Sequence, residues 1–269
     1  MISNYLERDG ISTILSKPAG IDYLRSHIYF VRGKLVIDEK AVDVAIEVQN
    51  FYIRMYKNVY LRKSAVIGQR TMQKMVYLIL ASGDITRRDL IRLTDSELVG
   101  ILRVSRDATI RRLYELLFAR NLFRETIVLR DRAFSPKQSE ISPKIVREFG
   151  LDQKIMNRLA RARSLQPKNQ KSLMEIEQRI ASVADIPEAE VLLVPVFSPS
   201  RFAAEDITIY TRHGKFASLK ALYPAHFKSM EETGRAYAAF RICTTETYRK
   251  RLSGKKIAER VFGLIMGSL

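Results

Sequence analysis

The sequence predicts a mainly α-helical fold with a small hairpin, followed by a smaller α+β C-terminal module. Three observations carry that expectation. The stretch from Ile37 to Leu80 holds one glycine, Gly68, and no proline, and its apolar residues recur at helical spacing from Ala41 to Ile79. Two short β-rich runs, 27–31 and 34–37, flank Arg32-Gly33 just before it. From Glu190 onward the texture changes to apolar runs such as Val191-Leu192-Leu193-Val194-Pro195-Val196-Phe197.

Tyr5-Leu6-Glu7-Arg8-Asp9 reads as the end of a helix that Gly10 stops, and a polar loop through Lys17, Pro18 and Gly20 comes next. Ile21 to Ser26 leads into the hairpin. Asp38 is placed to cap the long helical stretch. A straight helix of that length would run roughly 60 Å at 1.5 Å per residue, so a bend is expected, near Gly68 or between Tyr60 and Ser64.

Ser82-Gly83-Asp84 breaks the helix. Thr86 and Thr94 then start two short ones, the second with a Thr-x-x-Glu capping box ending at Glu97. Arg106 to Ala119 is amphipathic, Asn121 ends it, and Phe123 to Leu129 alternates as a strand does. Pro136 and Pro143 bracket a polar link. Two further helices, Leu151–Leu165 and Lys168–Val183, flank Pro167. The first carries Lys154, Arg158 and Arg161 on one side and Leu151, Ile155, Leu159 and Ala162 on the other. That arrangement suits a phosphate-bearing polyanion, an acidic partner, or only water.

In the last part Val191–Phe197, Ile207–Tyr210 and Tyr237–Cys243 read as strands, with a turn at His213-Gly214. Helices are expected at Ala225–Glu232, Thr245–Leu252 and Lys255–Met266. The expected division is therefore 1–135, a linker with basic helices over 136–185, and a module over 186–269 that begins after Asp185-Ile186-Pro187.

The chain of 269 residues carries a formal charge of +17. Residues 61–183 hold 25 basic and 13 acidic side chains, whereas 1–60 hold 8 and 7. The middle is thus the polyanion-facing candidate, or a solubilised helical surface. No apolar run approaches the ~18 residues that span a bilayer, and the first residues lack the pattern of a secretion signal. The single cysteine, Cys243, forms no internal disulfide, and a cytoplasmic setting is expected. The three histidines, His27, His213 and His226, have no metal-ligand neighbour at helical spacing and read as structural. No phosphate-binding glycine loop and no nucleophile elbow occurs.

Several segments stand in a fixed order. These are Tyr5-Leu6-Glu7-Arg8-Asp9-Gly10, Ile21-Asp22-Tyr23-Leu24, Gly33-Lys34-Leu35-Val36-Ile37-Asp38-Glu39-Lys40 and Met55-Tyr56-Lys57-Asn58-Val59-Tyr60-Leu61-Arg62-Lys63. Leu93-Thr94-Asp95-Ser96-Glu97-Leu98 and Arg120-Asn121-Leu122-Phe123 come after them. Together they resemble the C-terminal half of an HD-domain phosphohydrolase of the deoxynucleotide triphosphohydrolase (dNTPase-like) type, and the resemblance covers most of the chain.

The resemblance implies a helical HD-phosphohydrolase-like core. It also implies a chemistry in which a divalent metal, held by a His…His-Asp…Asp set, activates water. The first three ligands of that set lie upstream of the matched segments. The fourth aligns with Met1, a poor ligand for a hard cation. The family's phosphate-meeting lysine aligns with Ile2 and its clamping arginine with Tyr52, with Arg54 nearby.

The implied reading is a chain that does not hydrolyse on its own, with no metal or other cofactor of its own and a residual nucleotide pocket. Tyr5 and Asp9 would meet sugar and base, Tyr60 would stack on the sugar, and Lys57, Arg62 and Lys63 would meet phosphate. Core packing for the tyrosines, and a helix-end salt bridge to Arg8 or Arg62 for Asp9, remain open beside it. The expected partners are further copies in a homo-oligomer or a chain supplying the HD half. Two alternatives stand: a nucleic-acid-binding protein using 61–183, or a C-terminal fragment of an active dNTP phosphohydrolase.

Overall fold

The computed structural model describes residues 20–134, 145–164, 166, 169–197 and 205–269. The described chain is mainly helical, with two four-stranded mixed sheets. It divides into two units. One takes its described residues from Met1–Arg62 and Ser198–Tyr237, the other from Lys63–Phe197 and Ala238–Leu269. The expected helix at Tyr5–Asp9, the Pro136–Pro143 link and Pro167 lie outside the described residues.

The first unit begins with α1 (Ile21–Ser26), which buries Ile21 and Leu24. Gly20 precedes it at φ +75°, and a Cβ there would stand 3.2 Å from a Val44 methyl, so conformation and space both demand glycine. Strands β1 (Ile28–Val31) and β2 (Lys34–Asp38) form the expected hairpin. Both turn residues, Arg32 (φ 48°) and Gly33 (φ 76°), are left-handed, as a two-residue turn matching strand twist requires. The Asp38 carboxylate accepts from Lys40 N and caps a 3-10 turn (Glu39–Ala41) that feeds α2 (Val42–Met55).

The long helical stretch breaks after a π-helical turn (Tyr56–Tyr60) in which Leu61 N donates to Tyr56 O at 2.8 Å. The interruption of the helix falls at the second of the two expected places. Later in the chain come β6 (Thr208–Tyr210), β7 (Phe216–Ser218), α9 (Leu219–Leu222) and α10 (Pro224–Tyr237). The sheet order is β1-β2-β6-β7, with β2 and β6 parallel. Leu24, Ile37, Val42, Ala45, Ile209, Leu219 and Phe227 share its core.

The second unit is built on α3 (Lys63–Ser82), α4 (Arg87–Arg92), α5 (Asp95–Arg103) and α6 (Ala108–Phe118). Gly68 stays helical inside α3, and among the described residues a Cβ there would meet Leu117 Cδ1 of α6, at 3.6 Å. Thr86 as well as Thr94 forms a capping box, with Asp89 and Glu97 respectively. Asp107, not anticipated, caps α6 through Thr109 N and Ile110 N. The left-handed residue after α6 is Arg120 (φ 57°), one position before the expected Asn121.

The second sheet runs β4-β3-β8-β5, from β3 (Arg124–Asp131), β4 (Arg147–Leu151), β5 (Val191–Val196) and β8 (Ala239–Thr244). Around it stand α7 (Gln153–Arg163), α8 (Gln170–Ala184), α11 (Glu246–Leu252) and α12 (Lys255–Gly267). One face packs Ile127, Leu129, Leu193, Phe240 and Ile242 against Leu159, Leu173, Ile176, Ile180, Val261 and Ile265 of the helices. β4 and β7 are strands that the sequence pattern does not mark. The segment expected as a separate module over 186–269 supplies β6 and β7 to one sheet and β5 and β8 to the other.

The outer edge of β5 is closed by side chains. Arg70 Nε donates to Leu193 O at 3.0 Å, Lys74 Nζ donates to Val191 O at 3.2 Å, and Leu193 N donates to Glu177 Oε1 at 2.8 Å. Glu177 also pairs with Arg70 Nη2 at 3.2 Å and Lys74 Nζ at 2.8 Å, all three side chains having 0% exposure. Residues 191, 193 and 195 alternate toward that edge, and Pro195 there has no N–H to leave unpaired.

Candidate functional site

Of the residues the sequence nominates for a phosphate-bearing ligand, Lys57, Tyr60 and Arg62 lie on the π-helical turn and the break after it. Inserting a residue into the i→i+4 ladder rotates the helix beyond the insertion, and such turns recur at functional sites. Tyr52, Tyr56 and Tyr60 consequently form a ladder, with ring centroids 4.6 and 5.3 Å apart. Tyr60 packs with Val48, Tyr52 and Val59 around the buried pair Phe51 and Met55, so it is half-buried and anchored. Lys57 is exposed on the turn, and its Nζ lies 5.7 Å from the Tyr237 ring centroid. Arg62 is exposed at the break. Tyr60, Lys57 and Arg62 thus lie within one short segment, with an aromatic base and two cations; Tyr5 and Asp9 lie outside the described residues.

Lys63 has a different setting. It opens α3, and its Nζ donates to Glu125 Oε2 at 2.5 Å. Glu125 is a buried carboxylate of β3, beside a register shift between Glu125 and Ile127, and its other oxygen accepts from Arg241 Nε of β8. Burial pushes this carboxyl up, but Arg241 and Lys63 outweigh that and hold it below the ordinary glutamate range. Arg249 Nε adds a bond to Glu125 O at 3.3 Å. Cys243, the cross-strand neighbour of Glu125, is fully buried, and burial followed by the Glu125 charge pushes its thiol up. Sequence spacing does not show the Lys63–Glu125 pair, which joins positions 62 residues apart.

The basic helix keeps its cationic side, while Leu151, expected on its apolar side, belongs to β4 and Ile155 and Ala162 are half-buried. On α7, Lys154, Arg158 and Arg161 are exposed, while Met156 and Leu159 are buried. Arg158 Nη2 donates to the main-chain oxygen of Leu269 at 3.1 Å.

The histidines have structural partners. His27 Nδ1 lies 2.8 Å from Tyr23 O, and its ring packs on Tyr23 at 4.0 Å. His226 Nε2 lies 2.9 Å from Gln49 Oε1, and burial lowers its pKa. His213 occupies the turn between β6 and β7, near Glu39. Among the described residues no three His, Cys, Asp or Glu side chains converge where a metal ion would sit, so no step is assigned to one. No helix among them is long and apolar enough to cross a membrane.

The sequence pattern of the HD associated region matches residues 21–159, just over half of the chain. The chain belongs to the HD associated region family. The matched part of this HD associated region holds the hairpin, the tyrosine ladder, the helices through α6 and the first part of α7. Two solved structures share the fold. A phosphohydrolase from Bacteroides thetaiotaomicron VPI-5482 superposes with a TM-score of 0.55 at 16% identity, over 91% of this chain and 60% of that one. A hypothetical protein from Aquifex aeolicus gives 0.50 at 15% identity, over 96% and 56% respectively. The HD associated region chain therefore spans somewhat over half the length of either structure. No curated protein matches it.

Proposed function

We propose that this chain is an HD-phosphohydrolase-like protein or half-molecule that does not hydrolyse phosphate esters by itself. In this reading it keeps a residual nucleotide or phosphate site and serves assembly or regulation, with itself or with an HD-bearing chain. The family match across residues 21–159 is the observation that carries the reading. It is supported by the sequence, in which none of the three histidines precedes an aspartate.

Tyr60 offers a ring to a sugar, and Lys57 and Arg62 offer cations to phosphate oxygens. Tyr5 and Asp9 complete the set by resemblance. Lys63 is paired with Glu125. The test is a pair of measurements on the purified chain. With a divalent cation and each deoxynucleoside triphosphate, phosphate release stays at blank. In calorimetry a deoxynucleoside triphosphate binds, and the Lys57→Ala/Arg62→Ala double variant weakens that binding at least tenfold. Turnover by the chain alone overturns the silent assignment; equal binding by the double variant overturns the site.

A second reading rests on α7, whose exposed cations oppose a buried apolar face. In that reading the surface with Lys154, Arg158 and Arg161 binds a nucleic-acid backbone. Affinity then falls linearly with the logarithm of salt, and neutralising the three flattens the slope.

A further inference from the structure

Strand β1 is the outermost strand of its sheet, and its outward edge is unpaired among the described residues. The two-residue turn makes Val31 and Lys34 a pair that exchanges hydrogen bonds, and Asp38 N donates to His27 O at 3.0 Å at the far end. Alternation then assigns 27, 29 and 31 to bonding with β2. The N–H and C=O of Ile28 and Phe30 point to the open side. Natural edge strands are usually blunted by charge, proline or a bulge. Here the sequence is Ile28-Tyr29-Phe30-Val31, with Phe30 77% exposed and its cross-strand partner Leu35 60% exposed.

We infer that β1 pairs with β1 of a second copy of this chain, antiparallel, about a two-fold axis through Tyr29. The register is self-complementary. Ile28 of each copy stands opposite Phe30 of the other, so every outward N–H and C=O of the two residues finds a partner. The pairing sets Phe30 of one copy beside Ile28 of its partner, flanked by Leu35 on the same face, and joins the two sheets into one of eight strands.

Charge selects the antiparallel direction. Arg32 and Lys34 sit at the turn, where a parallel pairing would bring them together with their copies. The antiparallel pairing sends the two turns to opposite ends, so the Arg32 main chains stand roughly 20 Å apart at about 3.4 Å per residue. That exceeds the screening length of about 8 Å at physiological salt. Two four-residue strands make a small contact, so the dimer is weak and depends on concentration. This inference is independent of the phosphate site.

The register makes it testable. Tyr29 faces its own copy as a non-hydrogen-bonded pair with Cα atoms about 4.5 Å apart, within disulfide range. Ile28 and its copy, like Phe30 and its copy, are offset by two residues and lie beyond the ~7 Å that a disulfide tolerates. The full chain carrying Tyr29→Cys is expected to form a disulfide-linked dimer on mild oxidation, with Ile28→Cys and Phe30→Cys staying monomeric. The native Cys243 is buried and does not compete. Phe30→Pro deletes an outward N–H and leaves the β1–β2 ladder intact. It is expected to abolish cross-linking of Tyr29→Cys and to return the sedimentation mass to that of a monomer at all concentrations. Absence of cross-linking in a Tyr29→Cys protein with parental circular dichroism and melting overturns the inference. So does equal cross-linking at position 28, or association only on adding an acidic extended peptide.

Discussion

Glu125 sits between Arg241, which is 7% exposed, and Lys63 at the mouth of the same site. Removing its charge leaves the arginine buried without a counterion, which costs far more than losing a surface pair. Glu125→Gln is expected to lower stability by about 3 kcal/mol near neutral pH, read by denaturant unfolding. The pH dependence has a definite sign. The folded carboxyl titrates below the ordinary value of about 4.3, so its contribution is present above that pH and is lost as pH falls through the folded value. The parent should therefore lose stability on acidification over that window, and Glu125→Gln should show a shallower slope there. This was not legible in the sequence. Lys63 comes directly after the Lys57-to-Arg62 run and so groups with the phosphate candidates, whereas its partner is set by where β3 lands in the sheet.

Helices were the readable part. The i, i+3/i+4 stripe gave α2, α3, α6, α7 and α8 to within a few residues, because burial of one helical face imposes that period. What escaped was short or conformational. β7 is three residues long, too few for alternation to register, and β4 carries Gly150 between Phe149 and Leu151. The sequence marks Asn121 as the end of α6, whereas the left-handed residue is Arg120, one position earlier. Gly68, the only glycine of the long stretch, stays helical, and the helix is interrupted after the π-helical turn instead. Since a Cβ at Gly68 meets one methyl at ordinary contact distance, Gly68→Ala is expected to raise stability by about 0.5–1 kcal/mol, measured by thermal unfolding.

At the scale of the molecule, strand order was not legible, because a strand's neighbours are chosen by contacts far along the chain. Strands after the texture change at Glu190 pair with strands before it, β6 with β2 and β8 with β3. A chain ending at residue 185 would lack β6 and β7 from one sheet and β5 and β8 from the other. It is expected to unfold without a cooperative transition and without dispersed amide resonances, whereas a folded 1–185 protein would show that the earlier part is autonomous. The HD-related family, though not the narrower deoxynucleotide type, was visible in the ordered motifs, since several short matches at fixed spacing constrain far more than any one of them.

Arg70, Lys74 and Glu177 grip β5 by its peptide groups rather than its side chains. Residues of β5 are thus free to drift in identity without disturbing that seal. The three ionic groups have no such latitude. Replacing either cation strips a carbonyl and unbalances the carboxylate, and replacing the carboxylate strands two positive charges away from water. Positions on two helices, 107 residues apart for Arg70 and Glu177, are therefore bound to a common fate. In any descendant of this fold they persist as a trio or give way together to an apolar plug.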